Sequence, residues 1–381
     1  MENPWPPSTD AVRIVITGAA GFIGQNLSVR LAELKLGLVT GITRDTAEPA
    51  VASALEAADV VVHLAGVNRP VDPAEFAAGN TDMTVALCDT LRRTGRPVPV
   101  IYSSSIQAEL DNPYGRSKLA AEEALIRYGE ETGSGVAILR LVNVFGKWCR
   151  PNYNSAVATF CHNIARNLPI TVSNVEAPLR LVHIDAVVDA ISTLIREGVL
   201  GRGQVAVSPI YDTTVGEVAD AIRGFADSRR TLDVSRVGQG FLRALYSTYV
   251  SYLPPEEFSY ALTRHEDPRG VFAEMLRTSD SGQFSFFSAH PGITRGGHYH
   301  HTKTEKFLVV KGRARFGFRH IVTGERQYIT VEGAEARVVE TVPGWVHDIT
   351  NIGDDEMFVL LWANEAFDPE APDTIAARVT E

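Results

Sequence analysis

The segment Gly18-Ala19-Ala20-Gly21-Phe22-Ile23-Gly24 decides the fold of the first part of the chain. It follows the β-branched run Arg13–Thr17 and opens a stretch with helical spacing. Glycines at such a junction permit a tight turn, let the backbone approach a pyrophosphate and let the helix pack on the strand. The N-terminus of the helix then faces the negative charge. The segment therefore predicts a dinucleotide site formed by Gly18, Gly21, Phe22, Ile23 and Gly24.

Short apolar runs and helix-like segments alternate through the first two thirds of the chain. The runs typical of buried parallel strands are Val12–Thr17, Leu38–Thr43, Val60–Leu64, Val98–Ser103 and Val136–Leu141. The clearest helical segments between them are Gly24–Leu34, Asp82–Arg93 and Tyr114–Tyr128. Because parallel strands need helical crossovers, this alternation predicts an α/β fold with a Rossmann-type, doubly wound parallel sheet.

The pattern changes near residue 250, where helical spacing gives way to short alternating runs. These runs are Gln283–Ala289, Lys306–Val310, Arg313–Arg319, Arg326–Val331 and Met357–Trp362. Regular short strands without helices between them predict an all-β antiparallel barrel or jelly roll. We therefore predict two domains, residues 1–252 and 253–381, joined by a linker at Ser251–Glu257.

Composition and charge narrow the possible partners. The 381 residues are 45% hydrophobic and 22% charged, and their net charge of -10 disfavours nucleic acid or an anionic membrane as the main partner. Three cysteines without metal spacing suit a reducing cytosol. The stretch Met1–Asp10 is not typical of a signal peptide, and no apolar run approaches the ~20 residues of a membrane span. These features predict a cytoplasmic protein.

The end of the second predicted strand bears on the choice of dinucleotide. An acidic residue at that position binds the ribose 2′-hydroxyl, whereas an arginine accommodates a 2′-phosphate. Arg44 follows the strand, so we expect NADPH as the cofactor, although the adjacent Asp45 leaves NAD possible.

A tyrosine and a lysine four residues apart, Tyr114 and Lys118, share one face of a predicted helix. A buried lysine charge near a phenol lowers the phenol pKa, so that Tyr114 can exchange a proton near neutral pH. Upstream, Tyr102-Ser103-Ser104-Ser105 ends a strand, where a hydroxyl can hold a substrate oxygen. Together with the upstream glycine loop, these residues predict a reductase.

These motifs resemble the extended short-chain dehydrogenase/reductase family, which acts on nucleotide sugars. Further stretches that resemble it are Val62-His63-Leu64-Ala65-Gly66, Leu139-Arg140-Leu141-Val142-Asn143-Val144-Phe145-Gly146 and Val182-His183-Ile184-Asp185, together with Asn80. His183 and Asp185 could equally be packing residues.

The resemblance implies a role for each candidate residue of the reductase. Tyr114 donates the proton, and Lys118 lowers the pKa of Tyr114 and holds the nicotinamide ribose. The hydroxyl partner is Ser105, with Ser104 as the alternative. Leu64, Ala65 and Gly66 contact the cofactor. The residues implied for substrate binding are Ser104, Ser105, Asn143 and Arg180.

Histidines cluster in the second part of the chain. The spacing His298-x-His300-x4-Glu305 is followed by Pro343-Gly344-x2-His347. Residues 298 and 300 point the same way on a strand, and residues 305 and 347 enter later strands, so four donors converge inside a barrel. His301 is the alternative to His300, because a one-residue slip exchanges the faces of a strand. Three imidazoles and a carboxylate suit Zn²⁺, Fe²⁺, Mn²⁺ or Ni²⁺, with Zn²⁺ our first expectation.

The paired histidine motifs resemble those of the cupin superfamily, although the usual proline–any–glycine is here the direct pair Pro343-Gly344. The fusion of both parts resembles one bifunctional family, the CapF-like capsular-polysaccharide enzymes, from about Val12 to Thr374. That resemblance implies a cupin that epimerises C3 of a UDP-2-acetamido-2,6-dideoxy-4-hexulose. It further implies that the reductase then reduces the C4 ketone with NADPH to UDP-2-acetamido-2,6-dideoxy-L-talose, on the route to UDP-N-acetyl-L-fucosamine.

The chemistry of a 4-ketone is consistent with that order, because the ketone acidifies the proton on C3 and the resulting enolate needs a Lewis acid or hydrogen-bond donors. The metal is either structural or catalytic. The candidates for the base are Tyr299, Lys303, Lys306, Lys311, Tyr328 and Asp348.

Two other functions fit the same motifs. One is an NAD-retaining nucleotide-sugar epimerase or dehydratase whose cupin only dimerises or stabilises it. The other is a nucleotide-sensing regulator built on an inactive reductase fold, against which the intact Ser105, Tyr114 and Lys118 argue. We expect a homodimer, paired through the helix Tyr114–Tyr128 or through the sheets of the cupin.

Overall fold

The computed structural model describes residues 11–199 and 201–380, which form two compact units. The first unit contains residues 11–222 and Ala244–Leu253, and the second contains Arg223–Arg243 and residues 254–380. The predicted boundary after residue 252 lies one residue from this division, but it assigns Arg223–Arg243 to the first domain. Met1–Asp10, on which the prediction of no signal peptide falls, lies outside the described residues.

None of the helices within residues 11–199 and 201–380 combines the length and the apolar character that crossing a membrane requires.

The first part of the chain alternates strands and helices. Its elements are β1 (Arg13–Thr17), α1 (Phe22–Glu33), β2 (Leu38–Ile42), α2 (Glu48–Ala57), β3 (Val60–His63), α3 (Met83–Arg93), β4 (Val100–Ser105), α4 (Pro113–Thr132), β5 (Val136–Leu141), β6 (Asn143–Phe145), α5 (Ala156–Ile164), β7 (Pro178–His183), α6 (Ile184–Glu197), β8 (Arg202–Gln204), β9 (Ile210–Thr214), α7 (Val215–Thr231) and α8 (Gly240–Val250).

The main sheet of the first unit has six parallel strands in the order β2-β1-β3-β4-β5-β8. Side chains of its central strands, such as Ile14, Val62 and Ile101, are fully buried. Burial on both faces explains why these strands are continuous apolar runs rather than alternating ones. The order reverses between β1 and β3, and ligands of such sheets bind at this switch, outside the carboxyl ends of the strands. The predicted Rossmann-type sheet is confirmed.

A second, smaller sheet joins β6, β7 and β9. Strand β6 runs parallel to β7, and β9 runs antiparallel to it. This sheet and helices α5 and α6 are not among the predicted elements. Strand β6 has only three residues, and no apolar run marks it. The sheet places Asn143 and Arg180 on neighbouring strands.

The second unit is built from short antiparallel strands. They are β10 (His265–Asp267), β11 (Gly270–Thr278), β12 (Gly282–Ala289), β13 (Thr294–Tyr299), β14 (Glu305–Lys311), β15 (Arg313–His320), β16 (Arg326–Glu332), β17 (Val338–Glu340), β18 (Trp345–Asn351), β19 (Met357–Ala363) and β20 (Ile375–Ala376).

Two sheets enclose the core of this unit, one with the order β10-β11-β12-β19-β14-β17 and the other with the order β16-β15-β18-β13-β20. Phe307 and Val359 enter the core from the first sheet, and Phe316 and Ile349 enter it from the second. Alternating inward and outward residues are what two packed antiparallel sheets require. The predicted antiparallel β architecture is confirmed, and it positions His298 and His347 on neighbouring strands of the second sheet.

Candidate active site and metal centre

The glycine loop lies at the switch point of the parallel sheet. Gly18 follows β1 with a φ of +70°, a conformation in which an L side chain is strained. A Cβ at this position would lie 2.8 Å from the backbone nitrogen of Ala65. The loop after β1 therefore packs directly against the Leu64-Ala65-Gly66 segment after β3. Two segments predicted to bind the cofactor thus lie together.

The first turn of α1 suits an anionic ligand. The helix begins at Phe22 after the N-cap residue Gly21, and among the described residues no side chain caps it. Its first N–H groups, those of Phe22, Ile23 and Gly24, have no partner within the helix. The pyrophosphate of a dinucleotide would satisfy these groups and the helix dipole, so the residues present fit such a cofactor.

Arg44 lies beside this loop, at the end of β2. The backbone N–H of Ala19 donates to the carbonyl oxygen of Ile42 at 3.1 Å, which joins the glycine loop to that strand end. Arg44 is exposed two residues further on. It is therefore positioned at the edge where the adenosine ribose of a dinucleotide lies in sheets of this type.

Tyr114 occupies the first turn of α4, which Asn112 caps by accepting a hydrogen bond from the Gly115 N–H at 2.8 Å. The tyrosine ring packs on Phe76 with their centroids 5.5 Å apart. The hydroxyl of Ser105 forms a hydrogen bond with Tyr114 and accepts another from the Gln107 N–H at 3.2 Å. The structure thus brings together the predicted proton donor and its predicted hydroxyl partner.

Burial raises the pKa of Tyr114, and the hydrogen bond with Ser105 lowers it by less. This differs from the prediction that Lys118 lowers the pKa of Tyr114. The physical reason is that the Lys118 ammonium is engaged elsewhere: it donates to the Tyr102 hydroxyl at 3.1 Å and to the Ser103 carbonyl oxygen at 2.9 Å. Burial in turn lowers the pKa of Lys118 to about 8, against an opposing effect of Glu122.

Ser104 has a different environment from Ser105. Its buried hydroxyl donates to the carboxylate of Glu122, which also accepts from the guanidinium of Arg140 at 2.7 Å. Glu122 is almost fully buried, so this ion pair is part of the protein interior. Ser104 therefore supports the packing of β4 against α4, and the geometry favours Ser105 over the alternative.

Asn143 and Arg180, both expected to bind substrate, lie on paired strands. The Asn143 side-chain amide donates to the Arg180 carbonyl oxygen at 3.3 Å, and the Arg180 guanidinium lies 3.2 Å from Asp212. His183 instead caps α6, accepting from the Asp185 N–H at 3.4 Å. Capping a helix is a structural role, which fits the interpretation of His183 as a packing residue.

The second unit gathers His298, His300, Glu305 and His347. One potential ligand atom from each residue lies within 4.8 Å of the others. The Nε2 atoms of His300 and His347 lie 3.4 and 3.3 Å from Glu305 Oε2. His301 is exposed and outside this group. The structure therefore assembles the predicted set with His300 and not with its alternative.

The position of His300 differs from the prediction in one respect. Strand β13 ends at Tyr299, so His300 lies just beyond the strand rather than within it. The Asp373 carboxylate accepts from the backbone N–H groups of His301, Thr302 and Lys303, the last at 2.9 Å. This turn, and a hydrogen bond between His300 Nδ1 and the Asp373 carbonyl oxygen, direct the imidazole towards Glu305.

The charge state of the group suits a divalent cation. Burial lowers the pKa of His298 to about 4, which leaves its imidazole neutral at pH 7. Burial alone would raise the pKa of Glu305, but the His300 and His347 imidazoles and the Lys303 charge outweigh it and lower that pKa. Within residues 11–199 and 201–380, the buried Nε2 of His347 makes no hydrogen bond, although it lies 3.3 Å from Glu305 Oε2. Three imidazoles and one carboxylate are the donor types that Zn²⁺ and related metals bind.

The sequence candidates for a base occupy different places. Tyr328 and Asp348 both pair with Gly317, whereas His347 pairs with Phe318, so the two candidates share the opposite face of that sheet. Lys303, by contrast, is buried with its Nζ 3.5 Å from Glu305 Oε1. Among the six candidates, the structure shows Lys303 in contact with a residue of the cluster.

Comparison with known proteins agrees with this arrangement. The model of the NAD dependent epimerase/dehydratase family matches residues 14–207, and that of the polysaccharide biosynthesis C-terminal domain matches residues 265–375. A Pseudomonas aeruginosa protein described as UDP-2-acetamido-2,6-beta-L-arabino-hexul-4-ose reductase is 54% identical, over 97% of this chain and 100% of its own length.

Solved structures show the same two-part organisation. The capsular polysaccharide assembling protein CapF from Staphylococcus aureus is 44% identical with a TM-score of 0.90, over 97% of this chain and 100% of that one. CapF with the inhibitor 3-isopropenyl-tropolone is 40% identical with a TM-score of 0.85, over 96% and 99% of the two chains. Fold and site thus define a dinucleotide-binding protein with a C-terminal β unit. The chain belongs to the NAD dependent epimerase/dehydratase family, among the two-part proteins that resemble CapF, and the predicted CapF-like resemblance is confirmed.

Proposed function

We propose that this protein is a bifunctional nucleotide-sugar enzyme that reduces a C4 ketone with NADPH after epimerising C3. The substrate is a UDP-2-acetamido-2,6-dideoxy-4-hexulose and the product is UDP-2-acetamido-2,6-dideoxy-L-talose. The 54% identical relative, whose description names a reductase of such a 4-ketosugar, supports the substrate class. The observations that carry the proposal are the contact of Ser105 with Tyr114 and the position of Lys118 Nζ, 3.5 Å from a Cβ built at Gly66, in the segment that packs on the glycine loop.

In the reductase reaction, the protein holds the ketone and supplies a proton. The Ser105 hydroxyl donates to the C4 oxygen, and the Tyr114 phenol transfers its proton to that oxygen as negative charge develops there. The raised pKa of Tyr114 keeps the phenol protonated before the reaction. The donor of Lys118 that Tyr102 and Ser103 leave free would hold the nicotinamide ribose, and Asn143 and Arg180 would hold the remainder of the sugar nucleotide.

Bound NADPH supplies the hydride that C4 receives. Its pyrophosphate would lie on the first turn of α1, between Gly18, Gly21 and Gly24, and the residues of the Leu64-Ala65-Gly66 segment would contact the nicotinamide ribose. Exposed Arg44 at the end of β2 supports a 2′-phosphate and hence NADPH over NADH.

In the epimerisation, the second unit would remove and return the proton on C3. A metal held by His298, His300, Glu305 and His347, with Zn²⁺ preferred, supplies a Lewis acid for the ketone. Lys303 contacts Glu305 and is therefore our candidate for the base or proton carrier. The opposite-face positions of Tyr328 and Asp348 argue against them in that role.

The domain boundary, the assembly and the location remain part of the proposal. We retain a reductase domain of residues 1–252 and a cupin domain of residues 253–381. A homodimer and a cytoplasmic location are our predictions from the sequence.

The test is cofactor consumption with the 4-ketosugar nucleotide. We expect one NADPH oxidised for each product formed, followed at 340 nm, with NADPH used faster than NADH. An Arg44→Ala variant should lose that preference for NADPH. Product formation without net consumption of NADPH would identify an NAD-retaining epimerase or dehydratase and would refute the reductase assignment.

A further inference from the structure

The ammonium of Lys118 contacts Tyr102, a residue that is not among the predicted site residues. The Lys118 Nζ lies 3.1 Å from the Tyr102 hydroxyl and 4.7 Å from the centre of its ring. Both side chains are buried. A second donor of the ammonium is used by the Ser103 carbonyl oxygen at 2.9 Å. An ammonium has three donors, so these contacts leave one for a ligand.

Tyr102 is itself fixed by a buried polar network. Its ring stacks on His63 with centroids 5.3 Å apart and an interplanar angle of 23°. The His63 imidazole bridges Thr17 at 2.7 Å and Thr84 at 3.0 Å, and the Thr84 hydroxyl also forms a hydrogen bond with Tyr102. Neither the ring nor the hydroxyl of Tyr102 can move without breaking these contacts. The acceptor for Lys118 is therefore preorganised.

We propose that Tyr102 is a positioning residue of the reductase, whose hydroxyl holds Lys118 so that the remaining donor of the ammonium addresses the cofactor ribose. This inference rests on the proposed function and deepens it. Gly66, in the segment expected to contact the ribose, supports this direction of the Lys118 ammonium. A Cβ built at Gly66 would lie 3.5 Å from the Lys118 Nζ. Tyr102 acts through Lys118 and touches neither substrate nor cofactor in this account.

Charged and titratable groups face the Lys118 ammonium from the helix and the strands packed around it. On α4 these are Tyr114 and Glu122, and Glu122 is paired with Arg140 at 2.7 Å. On β3 the group is His63, which burial and the Lys118 charge keep neutral, with a pKa of about 3. On β4 it is Tyr102, whose pKa burial raises. The Tyr102 hydroxyl thus accepts from the ammonium as a neutral phenol.

Removal of the Tyr102 hydroxyl should lower the pKa of Lys118. The hydroxyl oxygen stabilises the charged form of Lys118, whose pKa burial has already lowered to about 8. Tyr102→Phe would remove this acceptor and lower the pKa of Lys118 further, by about one unit. Any step that needs the charged lysine would then be lost at a lower pH than in the unchanged protein.

The experiment compares Tyr102→Phe with Tyr128→Phe in the full-length protein. Tyr128 is an equally buried tyrosine, but its hydroxyl donates to the Val98 carbonyl oxygen at 2.8 Å, away from Lys118. Each variant is assayed for the pH dependence of kcat with NADPH and the 4-ketosugar nucleotide. NADPH binding is measured across pH without the sugar, by cofactor fluorescence, and the melting temperature is recorded.

For Tyr102→Phe we expect kcat to be about tenfold lower. We also expect the loss of activity and of NADPH binding at alkaline pH to begin about one pH unit lower. For Tyr128→Phe we expect both limbs unchanged despite a comparable loss of melting temperature. An unchanged alkaline limb in Tyr102→Phe, or an equal shift in Tyr128→Phe, would overturn the proposal. If no protein reduces the sugar while the binding limb still moves in Tyr102→Phe alone, the positioning role stands and the proposed reaction fails.

Discussion

His298 faces His347 across two paired strands because a one-residue bulge shifts the register between them. The pairing of β13 with β18 runs Thr294 with Thr350 and Gly296 with Asp348, and it then places His298 opposite His347. The extra residue is Gly297, with a φ of +82°. Without the bulge, His298 would lie opposite Val346 and face away from the cluster. The two imidazole centroids are 4.6 Å apart as a result.

Gly297→Ala should therefore impair the metal centre. A side chain at a φ of +82° is strained, and relief of that strain would remove the bulge and rotate His298 out of the cluster. We expect at least tenfold weaker Zn²⁺ binding, measured by titration against a chromogenic chelator.

Gly324→Ala is the matched control, because Gly324 has a φ of +72° and open space around its Cβ position. This variant should show similar strain and unchanged Zn²⁺ binding. Equal Zn²⁺ affinity in both variants would show that the bulge does not hold the centre together.

Tyr114→Phe should separate the two proposed reactions. Loss of the phenol removes the proton donor at C4, so reduction should fall by about a thousandfold, whereas the second unit should still exchange the C3 proton. Exchange is followed by NMR of the 4-ketosugar nucleotide in D₂O without reduction. Loss of C3 exchange along with reduction would contradict the assignment of epimerisation to the second unit.

Stability should fall in acid because of His63. Burial lowers its pKa from 6.5 to about 3, so the folded protein binds fewer protons than the unfolded chain between these values. The corresponding stability is present above pH 6.5 and is lost as the pH falls towards 3, by about 3 kcal/mol at pH 4. Denaturant unfolding at pH 7 and pH 4 measures this loss.

His63→Asn should remove the share of this loss that His63 contributes and leave the share of His298, whose pKa burial lowers to about 4. His265→Asn, a change at an exposed residue of β10, should leave the whole loss intact. A loss of stability in acid that is the same in His63→Asn as in the unchanged protein would refute the assignment to His63.

Glu122→Ala should destabilise the first unit by about 3 kcal/mol. The change leaves the Arg140 guanidinium with only the exposed Glu109 as its carboxylate partner and removes the acceptor of the Ser104 hydroxyl. Chemical denaturation followed by circular dichroism measures the difference. Glu123→Ala changes the exposed neighbour on the same helix and should cost little, so a similar loss in both variants would count against the buried ion pair.

Much of the fold was predictable because its strands are strongly apolar. The run Val136–Leu141 and the glycine loop carry local signals that need no long-range information, and both lie where predicted. Strand β6, of only three residues, carries no such signal, and its place depends on pairing with β7. The segment Arg223–Arg243 likewise joins the second unit through contacts that are remote in sequence.

In the candidate sites, too, local spacing was predictable and long-range packing was not. The spacing of His298, His300 and Glu305 predicts the ligand set, but not the bulge that makes it converge. Tyr102 was overlooked because its strand position indicates only burial. A signal was available, since a buried tyrosine hydroxyl needs a partner, but the identity of that partner, Lys118, depends on how α4 packs on β4.

The most direct test of the account is product NMR after incubation of the 4-ketosugar nucleotide with NADPH in D₂O. Epimerisation through removal of the C3 proton followed by reduction predicts deuterium at C3 and protium from NADPH at C4. A reduced product with protium at C3 would contradict the account, leaving a plain ketoreductase with a second unit that takes no part in the chemistry.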